Sequence, residues 1–170
     1  MNKIFTSAGI VLVILFLTLS SSFAQQTANA NIAVTVVTPI SIAKTLDVNF
    51  GNVSVSGTAG TVILTPTGTR TATGGVTLPV TTGTLTAATF TISGQGTYTY
   101  AITLPSTPVT ITNGGNVMTI NNFTSSTLAT GTLTAGSQTL RVGATLNISG
   151  NQPAGTYVSP TPFSVTVNYN

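Results

Sequence analysis

The chain has 170 residues, with four Lys or Arg, one acidic residue, no His and no Cys. General acid–base catalysis needs two positioned titratable groups, disulfides and thiolate metal sites need cysteine, and calcium sites need several carboxylates. The composition therefore argues against an enzyme, a metal or cofactor site and a disulfide framework, and cations this few and scattered exclude the basic surface that nucleic acid or anionic lipid requires.

Lys3, the apolar run from Ile10 to Leu17 and then Ser22-Phe23-Ala24 read as a secretory signal peptide over residues 1–24, cleaved before Gln25. The run is short for a membrane span and no comparable run follows, so no span is expected after cleavage. The chain is expected to be secreted through the periplasm to the extracellular space or cell surface. The 146 residues that remain suit one domain, which at that size buries roughly 70% of the surface its unfolded chain exposes. They carry Lys44, Arg70 and Arg141 against Asp47, so the surface must be hydroxyl and amide. Thr alone supplies 35 of them, and a β-branched side chain with a polar tip suits either face of a strand.

Ala28, Ala30, Ile32, Val34 and Val36 alternate with Asn29, Asn31, Ala33 and Thr35, which predicts a strand within residues 25–36. The alternation slips at Val36-Val37, Pro39 follows, and Ile40 and Ile42 resume it at the start of a domain spanning 37–170. Leu46 to Val55 reads as a strand broken by a bulge at Gly51. Val62-Ile63-Leu64 is a short buried strand ended by Pro66-Thr67-Gly68. Alternating runs follow at Val76-Leu78-Val80, Ala88-Phe90-Ile92 and Tyr98-Tyr100-Ile102-Leu104. Val109 and Ile111 lead into Asn113-Gly114-Gly115-Asn116, a hairpin signal because Asn and Gly tolerate the positive φ of primed turns, and Val117 to Phe123 pairs back. After a weaker strand around Leu128 to Leu133, Leu140, Val142, Ala144, Leu146 and Ile148 alternate with polar residues in a long half-buried strand around which the rest is organised. Gln152-Pro153-Ala154-Gly155-Thr156 supplies turn residues, and Phe163, Val165, Val167 and Tyr169 form a last core-facing strand.

No window carries a 3.6-residue apolar stripe, so helix is expected to be nearly absent beyond the signal peptide. Eight to eleven short strands with turn signals between them predict an all-β fold, an antiparallel β-sandwich ahead of a closed barrel. Lys44 and Asp47 read as a solvated pair at a strand junction, with an isopeptide cross-link as the sharper alternative. Tyr98 and Tyr100 share a strand face, where core or rim packing competes with a sugar-stacking platform.

Pro39-Ile40-Ser41-Ile42 and Leu46-Asp47-Val48-Asn49-Phe50-Gly51 resemble the opening of a secreted bacterial domain family that carries only an unknown-function label. Gln152 to Tyr157 and Phe163 to Tyr169 resemble the ending of that family, and also of spore coat protein U-type and archaic chaperone-usher pilus subunits. The resemblance implies an immunoglobulin-like sandwich that lacks one strand, completed by the N-terminal extension of another subunit, with a periplasmic chaperone as a further partner. By the same resemblance Ala28, Ala30, Ile32 and Val34 match the donor residues, and Phe163, Val165, Val167 and Tyr169 match the acceptor strand. The extension is short and the cysteines of many pilins are missing, so the first strand either is donated or completes its own domain. The expected function is a non-enzymatic structural subunit of a surface fibre or coat that self-associates or joins related subunits, with a self-contained adhesion or carbohydrate-binding module as the alternative.

Overall fold

The computed structural model describes residues 24–170, so the signal-peptide reading lies outside the described residues except for Ala24. The chain divides at Val36 into a leading segment and a compact unit, Val36–Asn170. No residue of 24–35 lies in a strand, and Ile32 and Val34 are 98% and 87% exposed. The strand predicted from the alternation at Ala28 to Val36 is thus not formed within this chain. Alternation supplies a ribbon with an apolar and a polar side, but a strand also needs a partner that accepts its ladder.

Among the described residues there is no helix, and twelve strands make an all-β antiparallel sandwich. They are β1 (Ser41–Leu46), β2 (Asn49–Phe50), β3 (Ser54–Leu64), β4 (Arg70–Thr77), β5 (Leu85–Thr86), β6 (Ala88–Ser93), β7 (Thr99–Thr103), β8 (Val109–Asn113), β9 (Asn116–Ser125), β10 (Thr130–Thr132), β11 (Ser137–Ile148) and β12 (Thr166–Tyr169). One seven-stranded sheet is built on β11, a three-stranded sheet runs β10-β7-β12, and β2 pairs with β5.

β11 is the spine that its alternation predicts. Leu140, Val142, Ala144, Leu146 and Ile148 are all 4% exposed or less. Along one edge it pairs first with β6, up to Val142 opposite Ala88, and then with β3, from Ala144 opposite Leu64. Its other edge takes β9, which carries β8 through the Gly114-Gly115 hairpin, with Gly114 at φ 58°. Gly143 stands where the partner changes from β6 to β3. A Cβ there would lie 2.1 Å from the Leu64 carbonyl oxygen, so any side chain would push the two strands apart.

Two apolar cores follow from this change of partner. Under the far half of β11, Val62, Leu64, Ile111, Met118, Ile120, Leu146 and Ile148 pack together. Under the near half, Phe90 and Ile92 of β6 with Leu140 and Val142 face Tyr100 and Val167 from the smaller sheet and Leu133 just past β10. Tyr100 is fully buried, and its hydroxyl donates to Gln138 Oε1 at 2.6 Å, bolting the two sheets together. Burial pushes the pKa of that hydroxyl up.

Several boundaries differ from those the sequence suggests. Leu46 to Val55 is not one strand broken by a bulge but the end of β1, the short β2 and the start of β3. Gly51 turns there at φ 70°, while Arg70 Nη1 donates to the carbonyls of Phe50 and Asn52. A charged side chain bonding two backbone acceptors thus replaces the ladder. Val80 and Leu128 are exposed at 101% and 88%, beyond the ends of β4 and β10. Lys44 Nζ and Asp47 Oδ1 pair at 2.6 Å with both side chains more than half exposed, which is the solvated pair.

Candidate functional site

The expected acceptor residues meet on one core, and two of them, Val167 and Tyr169, lie in the smaller sheet. Only Thr166 to Tyr169 forms β12, paired with β7 from Thr166 opposite Thr103 to Tyr169 opposite Tyr100. Phe163 and Val165 precede it outside any strand, yet both pack on the same core as Val167, which is 8% exposed. Phe163 is held against Phe123 at 5.0 Å and edge-on to Phe90 at 6.4 Å. The alternation therefore reads the buried face correctly, although the ladder is shorter than the apolar pattern.

The ladder also fixes which backbone groups of β12 are free. Asn170 N–H donates to the Thr99 carbonyl, so in an antiparallel pair Asn170 and Asn168 face β7, while Val167 and Tyr169 turn their N–H and C=O groups the other way. Ile102 N–H donates to Ala129 on the far side of β7, as the same parity requires. Among the described residues no strand pairs with the outer edge of β12. β1, which among the described residues pairs only with β6, ends the larger sheet close by, and its Ile42 and the preceding Ile40 pack on the same core. Two unpaired strand edges thus border an apolar interior.

Tyr169 marks the end of this seam. Its hydroxyl accepts from Gln95 N–H at 2.6 Å and donates to the Thr38 carbonyl at 2.8 Å, while Thr38 N–H donates to Gln95 Oε1 at 3.1 Å. Its ring stands edge-on to Tyr98 at 5.6 Å, so Tyr98 is a rim residue and Tyr100 a core residue. This three-residue knot ties the start of the compact unit to the end of β12. Sequence reasoning missed it, because nothing in the spacing of Thr38, Gln95 and Tyr169 brings them together. The expected donor residues Ala28, Ala30, Ile32 and Val34 all lie in the leading segment and are exposed. Among the described residues no cluster of His, Cys, Asp and Glu could hold a metal ion, and no helix is long and apolar enough to cross a membrane.

Residues 40–169 match the family model described as Domain of unknown function (DUF4402). The chain belongs to the DUF4402 family. The matched DUF4402 region begins at Ile40 and takes in β1, the whole spine and β12, so it includes Phe163, Val165, Val167 and Tyr169 and leaves Ala28 to Val34 outside it. Comparison with curated proteins and with solved structures gave no match.

Proposed function

We propose that this DUF4402 chain is a non-enzymatic, secreted structural subunit that assembles into a surface fibre or coat by strand addition, in the manner of the pilus-type subunits its ends resemble. The observation that carries the reading is the outer edge of β12, where among the described residues the N–H and C=O groups of Val167 and Tyr169 lack a neighbouring strand beside a buried apolar face. Such an edge is a template for another strand unless something covers it. Residues 25–36 are the proposed donor. Ile32 and Val34 alternate with polar neighbours, and burying each would contribute about 1.5–3 kcal/mol. In this reading one copy's segment lies in the seam between β1 and β12 of the next, an open-ended head-to-tail arrangement.

Ile32→Asp combined with Val34→Asp tests the donor assignment. The mature double variant is expected to keep its β-sheet circular dichroism and unfolding midpoint and to lose the polymers that wild type forms in sedimentation and electron microscopy. Loss of folding in the double variant, or a wild type that stays monomeric at every concentration, would overturn the reading.

A further inference from the structure

A second gap in strand pairing lies on the other side of β12, and its cause is legible in the chain. Val158 exchanges both backbone hydrogen bonds with Thr112 of β8, at 2.8 and 3.0 Å. The next such pair of an antiparallel ladder falls two residues along each strand, which sets Pro160 opposite Thr110. Proline has no N–H to donate, so the pairing stops there, and Pro162 repeats the defect. The chain leaves β8 and rejoins a strand at Thr166, opposite Thr103 of β7. Between those two attachments an open cleft of about 560 Å³ remains.

Seven of the thirteen residues lining this cleft are Ser or Thr, three are Pro, and none is charged. The parity that turns the backbone of Thr112 toward Val158 turns the N–H and C=O of Thr110 into the cleft. That free edge is one residue long, because Thr112 is already bonded and Pro108 has no N–H. A peptide strand needs several successive pairs to add to an edge, so the cleft suits a compact ligand. Phe163, held from behind by Phe123, supplies an apolar patch beside Ser164 and Thr166. The cleft falls in the size range of small-ligand sites, and its lining of hydroxyls, one free amide pair and a single aromatic side chain is more polar than most, which suits a polar ligand.

We propose that this cleft binds a neutral saccharide, with neighbouring sugar hydroxyls bonded to the N–H and C=O of Thr110 and an apolar sugar face against Phe163. Sugar hydroxyls both donate and accept, as the Thr110 pair and the surrounding Ser and Thr side chains require. The absence of charge in the lining favours a neutral sugar over an anionic one. The outer edge of β12 that the assembly reading uses faces away from the cleft, and Phe163 is the residue the two readings share.

The test is an amide-resolved NMR titration of the full mature chain with methyl glycosides of neutral hexoses and N-acetylhexosamines, with a glucuronide and an extended hexapeptide as competitors. Saturable shifts at Thr110, Ser164 and Thr166 with a neutral saccharide are expected. Thr110→Pro removes an N–H that takes no part in the ladder to β9, a tolerated edge position, and is expected to weaken binding about tenfold. Pro160→Val restores the missing donor, lets the ladder close over the cleft and is expected to abolish binding without loss of stability. No saturable shift with any neutral saccharide, unchanged affinity in Pro160→Val, or a response to the peptide or the glucuronide alone would overturn the proposal.

Discussion

Replacing Tyr100 by Phe removes one hydrogen bond and no packing volume, which makes it a clean probe of how the two sheets are joined. The ring stays in a fully buried site, but Gln138 Oε1 loses the hydroxyl that reaches it at 2.6 Å. Gln138 is half-buried, so water partly replaces the lost donor, and the cost should be about 1–2 kcal/mol. At roughly 4 °C per kcal/mol for a domain of this size, the thermal midpoint should fall by about 4–8 °C. The effect carries a pH signature. Burial opposes ionisation of the Tyr100 hydroxyl and raises its pKa above the unfolded value near 10. The unfolded chain therefore releases this proton first, so the hydroxyl's contribution is whole below about pH 10 and is lost as pH rises through the folded pKa. Urea unfolding of wild type and Tyr100→Phe should show a constant gap from neutral pH to about pH 9 that narrows above pH 10. Equal midpoints at pH 7, or a gap unchanged at pH 11, would refute the bolt between the sheets.

Gly131→Ala should be more damaging than Tyr100→Phe, because its Cβ would lie 2.3 Å from the Tyr100 ring carbon Cζ; guanidinium unfolding should show a loss of about 1–3 kcal/mol or more. Leu146→Ala, in the far half of the spine and 4% exposed, should cost about 2–5 kcal/mol in the same assay. Val165→Asp combined with Val167→Asp places two charges on the core side of the β12 segment at several kcal/mol apiece, and should abolish recovery of folded protein as read by soluble yield. Normal soluble yield of that double variant would mean the buried face is assigned to the wrong side.

The parts of the fold that are legible in the sequence are those set by period-2 alternation and by turn chemistry. Leu140 to Ile148 declares its buried face because each apolar residue sits on one side of a strand long enough to carry two cores. Asn113-Gly114-Gly115-Asn116 declares its hairpin because the turn needs a positive φ that Gly114 supplies. Strand ends are less legible, since Val80 and Leu128 continue an apolar pattern that the ladder has already left. Pairing partners are not legible at all. That β11 exchanges β6 for β3 at Gly143, or that Arg70 binds the backbone around Gly51, depends on contacts between residues far apart in the chain. Of the candidate site, the apolar face of Phe163, Val165, Val167 and Tyr169 is readable, but the free edge behind it is not. An unpaired edge is a property of the neighbours a strand lacks, and alternation is the same with or without them. The leading segment gives the converse case, because its alternation predicts a strand but carries no information about whose ladder it joins.

The most direct test of strand addition is hydrogen exchange at the amides of Val167 and Tyr169 in the mature chain, followed as a function of protein concentration. Both amides point away from β7, so in dilute monomer they should exchange far faster than Asn168, whose N–H faces β7. On assembly the two should become protected together, and Ile32→Asp with Val34→Asp should prevent it. Protection of Val167 and Tyr169 that is already present in dilute monomer, or fast exchange that persists in assembled protein, would contradict the account.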